Sequence, residues 1–266
     1  WSVRFRGYNH FVALKWRGRM AAPNPNWARW RAFFAARRDR PAPRLLAVDP
    51  QLAKVPASVA RSLAIFQLGE SGGGTVNEQA RHSRLVSLDA NYAEAMALFV
   101  AEENRHAELL ACCVRALQGK LIEKNWTARL FVVGRRLVGL RLKIMVLLAA
   151  EVVGICYYQL LAGGLPDSEL KSLLREIAAD EKAHLRFHCD FLHAQMRSDA
   201  HRRFFIVAWR ALMLAAALVV ALDHRAALQD LGIPMTRVWR RWIVYSRTAE
   251  TRIVEQGGRS APVYAC

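Results

Sequence analysis

Acidic residues are scarce in this chain. Its 266 residues carry 22 Asp and Glu against 39 Lys and Arg, a formal net charge of +17, and arginine far outnumbers lysine. Two readings of that balance stand side by side: an acidic partner (nucleic acid, anionic membrane or acidic carrier protein), or a GC-rich genome that favours arginine codons. Codon bias explains the choice of Arg over Lys but not the shortage of acids. Cysteine is also sparse. Five are present, Cys112, Cys113, Cys156, Cys189 and Cys266, with no Cys-x-x-Cys pair. That excludes a zinc ribbon or rubredoxin-type site and argues against a disulfide framework, so a reducing cytoplasm is expected. Glycine and proline are few enough to permit long helices. Strand-like alternation punctuated by hairpin turns is missing, as is any solenoid-length repeat. No secretory signal is visible, and the chain opens on Trp1 rather than Met, as a fragment or processed product would.

What is present is helical periodicity. Residues 1–50 form a basic arm in which Trp1, Trp16, Trp27 and Trp30 alternate with arginines, and Pro23, Pro25, Pro41 and Pro43 bar a long helix. Such interleaving could bind nucleic acid by stacking and phosphate contact. An amphipathic cover for a later domain, Trp inward and Arg outward, is the reading favoured here. From about 55 the pattern predicts helices near 55–86, 89–118, 127–163, 166–197 and 200–230, with a sixth near 234–254 after Pro234. Asp89 and Asp167 occupy N-cap positions, and Gly163-Gly164 a C-cap position. The expected domains are the arm at 1–50, a bundle at 51–199 and C-terminal helices packed on it at 200–266.

The chemistry lies in a repeated motif. Glu103 with His106, and Glu181 with His184, each form Glu-x-x-His. On a helix, residues three apart share a face, so one carboxylate and one imidazole can reach the same metal. Carboxylate oxygen with imidazole nitrogen suits iron or manganese. A ferritin-like di-metal bundle adds one Glu from each of two further helices. Glu70 and Glu151 supply them. The midpoint of Glu70 and Glu103 falls between residues 86 and 87, beside the turn signal at 87–91, and that of Glu151 and Glu181 falls at residue 166, within the Gly-Gly-Leu-Pro-Asp turn at 163–167. Both pairs can therefore meet at one height. Glu151 interrupts the apolar run from Ile144 to Val153, where an unpartnered carboxylate is costly. The fold expected is all-α: a ferritin-like four-helix bundle with added C-terminal helices and a basic N-terminal arm.

The runs Ala-Glu-Glu-Asn-Arg-His (101–106) and Ile-Ala-Ala-Asp-Glu-Lys-Ala-His (177–184) resemble the two iron-binding motifs of acyl-carrier-protein desaturases, members of the ferritin-like di-iron carboxylate group. The resemblance is sharp over about twenty residues and loose over 55–197. It implies two iron ions, with manganese as the alternative, and dioxygen as co-substrate. It implies bridging roles for Glu103 and Glu181, and one iron capped by each of His106 and His184. Glu70 and Glu151 fit the partner carboxylates by position. Asp180 matches an acid that orients a ligand histidine. The sequence departs from the plant desaturases in its shorter loops, in Gly154 where they carry a Thr, and in the run Gly72-Gly73-Gly74.

An oxygen-dependent oxidoreductase is expected, of desaturase, hydroxylase or N-oxygenase type, with Glu103, Glu151 and Glu181 as its catalytic carboxylates. Its substrate would be apolar or carrier-bound, held near residues such as Phe66, Phe99, Gly154 and Tyr158. His188, on nearly the same face as His184, is read as either a seventh ligand, as in some N-oxygenating relatives, or a residue outside the ligand set. Rival readings are a tRNA-modifying di-iron hydroxylase, and an iron-handling or peroxide-scavenging protein. An electron donor such as a ferredoxin or flavin reductase is implied, and an acidic acyl carrier protein would suit the basic surface. Nucleic acid ranks below these as a partner, and a homodimer is compatible. Residues 204–222 are long and apolar enough to span a bilayer but contain Arg210. A packed cytoplasmic helix ranks first, a peripheral membrane contact second, a span third.

Overall fold

The computed structural model describes residues 25–40, 49–71, 74–85, 87–126 and 139–255. All regular structure among them is helical. The remainder of the basic arm, Gly72-Gly73 and the beginning of the helix expected from 127 lie outside the described residues.

Helix α1 (Trp27–Ala35) starts where the Asn26 side chain accepts from the Arg29 amide, covering an amide the first turn leaves unpaired. Its Trp27, Trp30, Phe33 and Phe34 are buried while Arg29 and Arg31 stay exposed. Trp27 meets Tyr92 edge-on with ring centroids 4.8 Å apart, and its indole nitrogen donates to the Ser87 carbonyl at 2.7 Å. Each buried ring contributes about 2–3 kcal/mol of apolar burial. A 3-10 turn (Pro50–Lys54) leads into α2 (Ala57–Glu70).

The first expected helix is in fact two. Helix α2 stops at Glu70 and α3 (Gly74–Arg81) restarts on the last glycine of the run, since consecutive glycines weaken a helix. Helix α4 (Ala90–Ala116) is capped by Asp89, which accepts from the Tyr92 amide at 3.0 Å. It ends in a Schellman turn: Gln118 takes a positive φ of 55°, the Gly119 amide reaches the Val114 carbonyl, and the Gln118 amide reaches that of Arg115. A Cβ on Gly119 would stand 2.8 Å from that of Ala60, so only glycine lets this turn lie against α2.

Helices α5 (Leu140–Gly164) and α6 (Glu169–Ala194) form a hairpin through residues 165–168, with Ser168 capping α6, one residue past the expected Asp167. Helix α7 (Asp199–Asp223) and the short α8 (Arg225–Asp230) replace one expected helix, broken at His224; α9 (Met235–Glu255) packs across α5, α6 and α7. The break has a packing reason. His224 is buried and its Nδ1 lies 2.7 Å from Ser62 Oγ, which also bonds Tyr157, so the bend seats an imidazole between α2 and α5.

Among the described residues, two helices, α5 and α7, are long and apolar enough to cross a membrane by length and composition. They differ in surroundings: 78% of the apolar window of α5 is buried in the protein, against 28% for α7.

Candidate metal centre

Four helices bring carboxylates and imidazoles to one buried place. Helix α4 presents Glu103 and His106 one turn apart, and α6 presents Glu181 and His184 in the same register. Their ligand atoms all lie within 4.8 Å of one another. His106 Nδ1 is 3.0 Å from Glu181 Oε1, and His184 Nδ1 is 2.8 Å from Glu103 Oε1 and 3.3 Å from Glu181 Oε2. Each histidine thus faces the glutamate of the opposite helix. Glu151, from the middle of α5, reaches within 3.7 Å of His184 Nδ1 and shares a hydrogen bond with Glu181. Glu70, the last residue of α2, shares one with Glu103 and accepts from the Tyr158 hydroxyl at 2.7 Å. All six residues expected from the sequence are in the cluster.

Behind each imidazole stands an acid. His106 Nε2 lies 3.3 Å from Asp180 Oδ2, and His184 Nε2 lies 3.0 Å from Glu102 Oε2. These contacts hold a ring N–H on Nε2, so Nδ1, turned into the cluster, is the nitrogen that would bind a metal once it carries no proton. Asp180 was expected in that role; Glu102 was not. The two are equivalent by register, each one residue before its Glu and four before its His. Arg37 and Arg40, in the turn after α1, close over both acids. Arg37 Nε bonds Glu102 at 3.1 Å and its Nη2 bonds Asp180, while Arg40 Nη1 bonds Asp180 at 2.9 Å. These two arginines turn inward, unlike Arg29 and Arg31.

The electrostatics are those of a crowded anionic site. Burial, then the charges of Glu103 and Glu181, push the Glu70 and Glu151 carboxyls well above the ordinary range. Burial would raise Glu181 too, but hydrogen bonds from Glu151 and both histidines outweigh it and hold that carboxyl low. Burial would lower His184, but its bonds to Glu102 and Glu103 outweigh that and push it well up. Glu102 is brought down to about 2, because the bond and charge of His184, with Arg37 and His106, overcome its desolvation. Protons on Glu70, Glu151 and His184 therefore stand where a cation would otherwise balance the charge.

His188 sits one turn beyond His184, with Nε2 3.2 Å from Glu151 Oε1 and the Phe99 ring 4.8 Å away. Burial and the charge of His184 depress it to about 3, so it is neutral. Its partner is the Glu151 carboxyl; it is not among the four residues whose ligand atoms converge most tightly. Gly154 faces the cluster, and a Cβ there would stand 3.6 Å from Glu181 Cγ.

The donor set fits a metal. Glu103 Oε1, His106 Nδ1 and Glu181 Oε1 are buried in close contacts of 2.8 and 3.0 Å across the two motifs, but their angles make none of these a well-formed hydrogen bond. Buried polar atoms left unmatched are costly. Here the three converge on one another with acceptor atoms, an arrangement that a cation relieves and an apolar group does not. The described residues thus define an all-helical protein with a buried Glu/His cluster able to hold a metal ion. Against protein-family models, curated proteins and solved structures, the chain gives no match.

Proposed function

We propose that the chain is a ferritin-like di-iron carboxylate protein acting as an oxygen-dependent oxidoreductase on an apolar or carrier-bound substrate. The observation that carries this reading is the pseudo-symmetric cluster: two Glu-x-x-His motifs facing each other, each histidine backed by an acid, with one further Glu from each of two other helices. Glu103 and Glu181, each beside both histidines, would hold metal together with His106 and His184, and Glu70 and Glu151 would add a carboxylate from each of the other two helices. Bound there, a pair of iron ions would supply the electrons that reduce dioxygen and so drive oxidation of a C–H or N–H bond.

The protein's own share is orientation and exclusion of water. Asp180 and Glu102 orient the rings of His106 and His184 through Nε2, so that Nδ1 would be the atom offered to a metal in both. Phe34 and Phe99 pack on the His184 ring, at centroid distances of 5.9 and 4.8 Å, and keep that side dry. Tyr158, its phenol held protonated by burial, donates to Glu70 and fixes that carboxyl group. Gly154 lets the Tyr158 ring and Glu181 lie close to the α5 backbone; a Cβ there would already touch them at 3.3 and 3.6 Å.

Metal analysis tests the proposal. Purified chain loaded anaerobically with Fe(II) and desalted is expected to hold about two irons, and the Glu103→Ala variant, folded by circular dichroism, to lose them. Oxygen uptake by the reduced, loaded wild type is expected, and its absence in the variant. No retained iron in the wild type would overturn the assignment. Iron retention without oxygen consumption would overturn the oxidoreductase reading alone.

A further inference from the structure

Helix α7 is apolar on two faces, and among the described residues only one of them is covered. Phe205, Trp209, Met213, Ala217 and Val220 are buried at helical spacing against the rest of the molecule. Phe204, Val207, Leu214, Leu218 and Leu222 recur at spacings of three, four and seven on the opposite face, and Val207 and Leu222 are 70% and 71% exposed. A row this long on a free surface is unusual, because water penalises contiguous apolar area. Ile243 and Val244 of α9 are also exposed. Ile243 stands two turns before Glu250, which pairs with Arg210 of α7 through two hydrogen bonds of 2.6 and 3.0 Å. Ile243 therefore borders the α7 row, and Val244 follows it round the exposed side of α9.

Charge says what covers this face. Exposed Arg203 lies one turn before Val207, and exposed Arg225 follows the far end of the row. On α9, exposed Arg240 and Arg247 bracket Ile243 and Val244 by about one turn on either side. Arg210, the base within the row, is neutralised by Glu250. An apolar stripe rimmed by unmatched arginine suits the boundary between acyl chains and anionic headgroups. A second copy suits it less. Antiparallel packing of two α7 helices would set Arg203 against Arg225, and parallel packing would set each against itself. Crossing the bilayer is disfavoured too: the Trp209 indole donates to the Ser246 carbonyl and the Trp242 indole to the Met213 carbonyl, bonds that a spanning α7 would break.

We propose that the exposed face of α7 with the adjoining edge of α9 docks the protein on an anionic lipid surface, α7 lying in the plane of the interface. The inference is independent of the metal centre. Its test is co-sedimentation of the full chain with vesicles of phosphatidylcholine alone and with about 30% phosphatidylglycerol, beside sedimentation velocity without lipid. Binding to the anionic vesicles is expected, reduced about tenfold or more by Leu214→Glu/Leu218→Glu and by Arg240→Gln/Arg247→Gln, and weakened by salt. All four positions are exposed, so both variants should keep the wild-type circular dichroism and melting temperature. Three results would overturn the proposal: no binding at low salt, equal binding to neutral vesicles, or a lipid-free dimer that Leu214→Glu/Leu218→Glu dissociates.

Discussion

His184 Nε2 points at Glu102 Oε2 across 3.0 Å, and the contact mirrors that of His106 with Asp180 at 3.3 Å. In both, the acid belongs to the helix opposite its histidine, so the two motif helices orient each other's ligands. Removing one acid should therefore loosen the metal without removing a ligand. Glu102→Gln and Asp180→Asn are each expected to weaken iron affinity about 10–100-fold, measured by competition with a chelator, while leaving stoichiometry at saturation unchanged. Equal affinity in wild type and variants would show that the acids do not act through the imidazoles.

Arg37 spans both of those acids with one guanidinium, Nε to Glu102 and Nη2 to Asp180. A planar fork can do this; a single ammonium cannot. Arg37→Lys/Arg40→Lys is expected to lower iron affinity nearly as much as Arg37→Gln/Arg40→Gln, although charge is kept. Rescue by lysine would mean that charge alone matters. Because Trp27, Trp30, Phe33 and Phe34 hold α1 in place independently, both variants should stay folded, with a melting temperature within several degrees of wild type.

These contacts mark the boundary of what the sequence discloses. The clustering of these six residues was legible because helical spacing is local: Glu-x-x-His puts two residues on one face, and the midpoints of the Glu pairs give the height of the partners. Asp180 was recognised by resemblance and Glu102 was not, although Glu102 holds the same register before His106. That repetition was the available signal. Arg37 and Arg40 gave none. They lie far from residues 102 and 180 in sequence, and whether an arginine in a turn faces solvent or an acid is decided by where α1 docks. The break after Glu70 was hidden for another reason, since apolar periodicity continues on both sides of the glycine run. The bend at His224 was hidden because an apolar run looks the same until a polar side chain must reach its partner.

His224 also carries a pH prediction remote from the metal centre. Burial depresses its imidazole from 6.5 to about 4, so the folded state binds its proton less readily than the unfolded state. The resulting stability is full above the unfolded value near 6.5 and is lost as pH falls towards 4, on the order of 3 kcal/mol in total. Urea melts between pH 7 and pH 4 are expected to show that decline, and His224→Phe to show a shallower one from a less stable starting point. The residual slope belongs in part to His188, which burial depresses in the same direction. An unchanged slope in the variant would remove His224 from the account.

Gly154 separates packing from chemistry beside the cluster. It lies within α5, where glycine costs roughly 1 kcal/mol relative to alanine. A Cβ added there would meet the Tyr158 ring edge at 3.3 Å and Glu181 at 3.6 and 3.7 Å, contacts that a few tenths of an ångström of movement would relieve. Gly154→Ala is therefore expected to melt within about 1 kcal/mol of wild type and to retain its iron. Gly154→Leu drives a branched chain against Glu181, and overpacking of that kind costs about 1–3 kcal/mol. Its thermal midpoint and its iron content should fall together. If iron content survives in Gly154→Leu while stability drops, Glu181 is not anchored where its contacts with His106 and His184 place it.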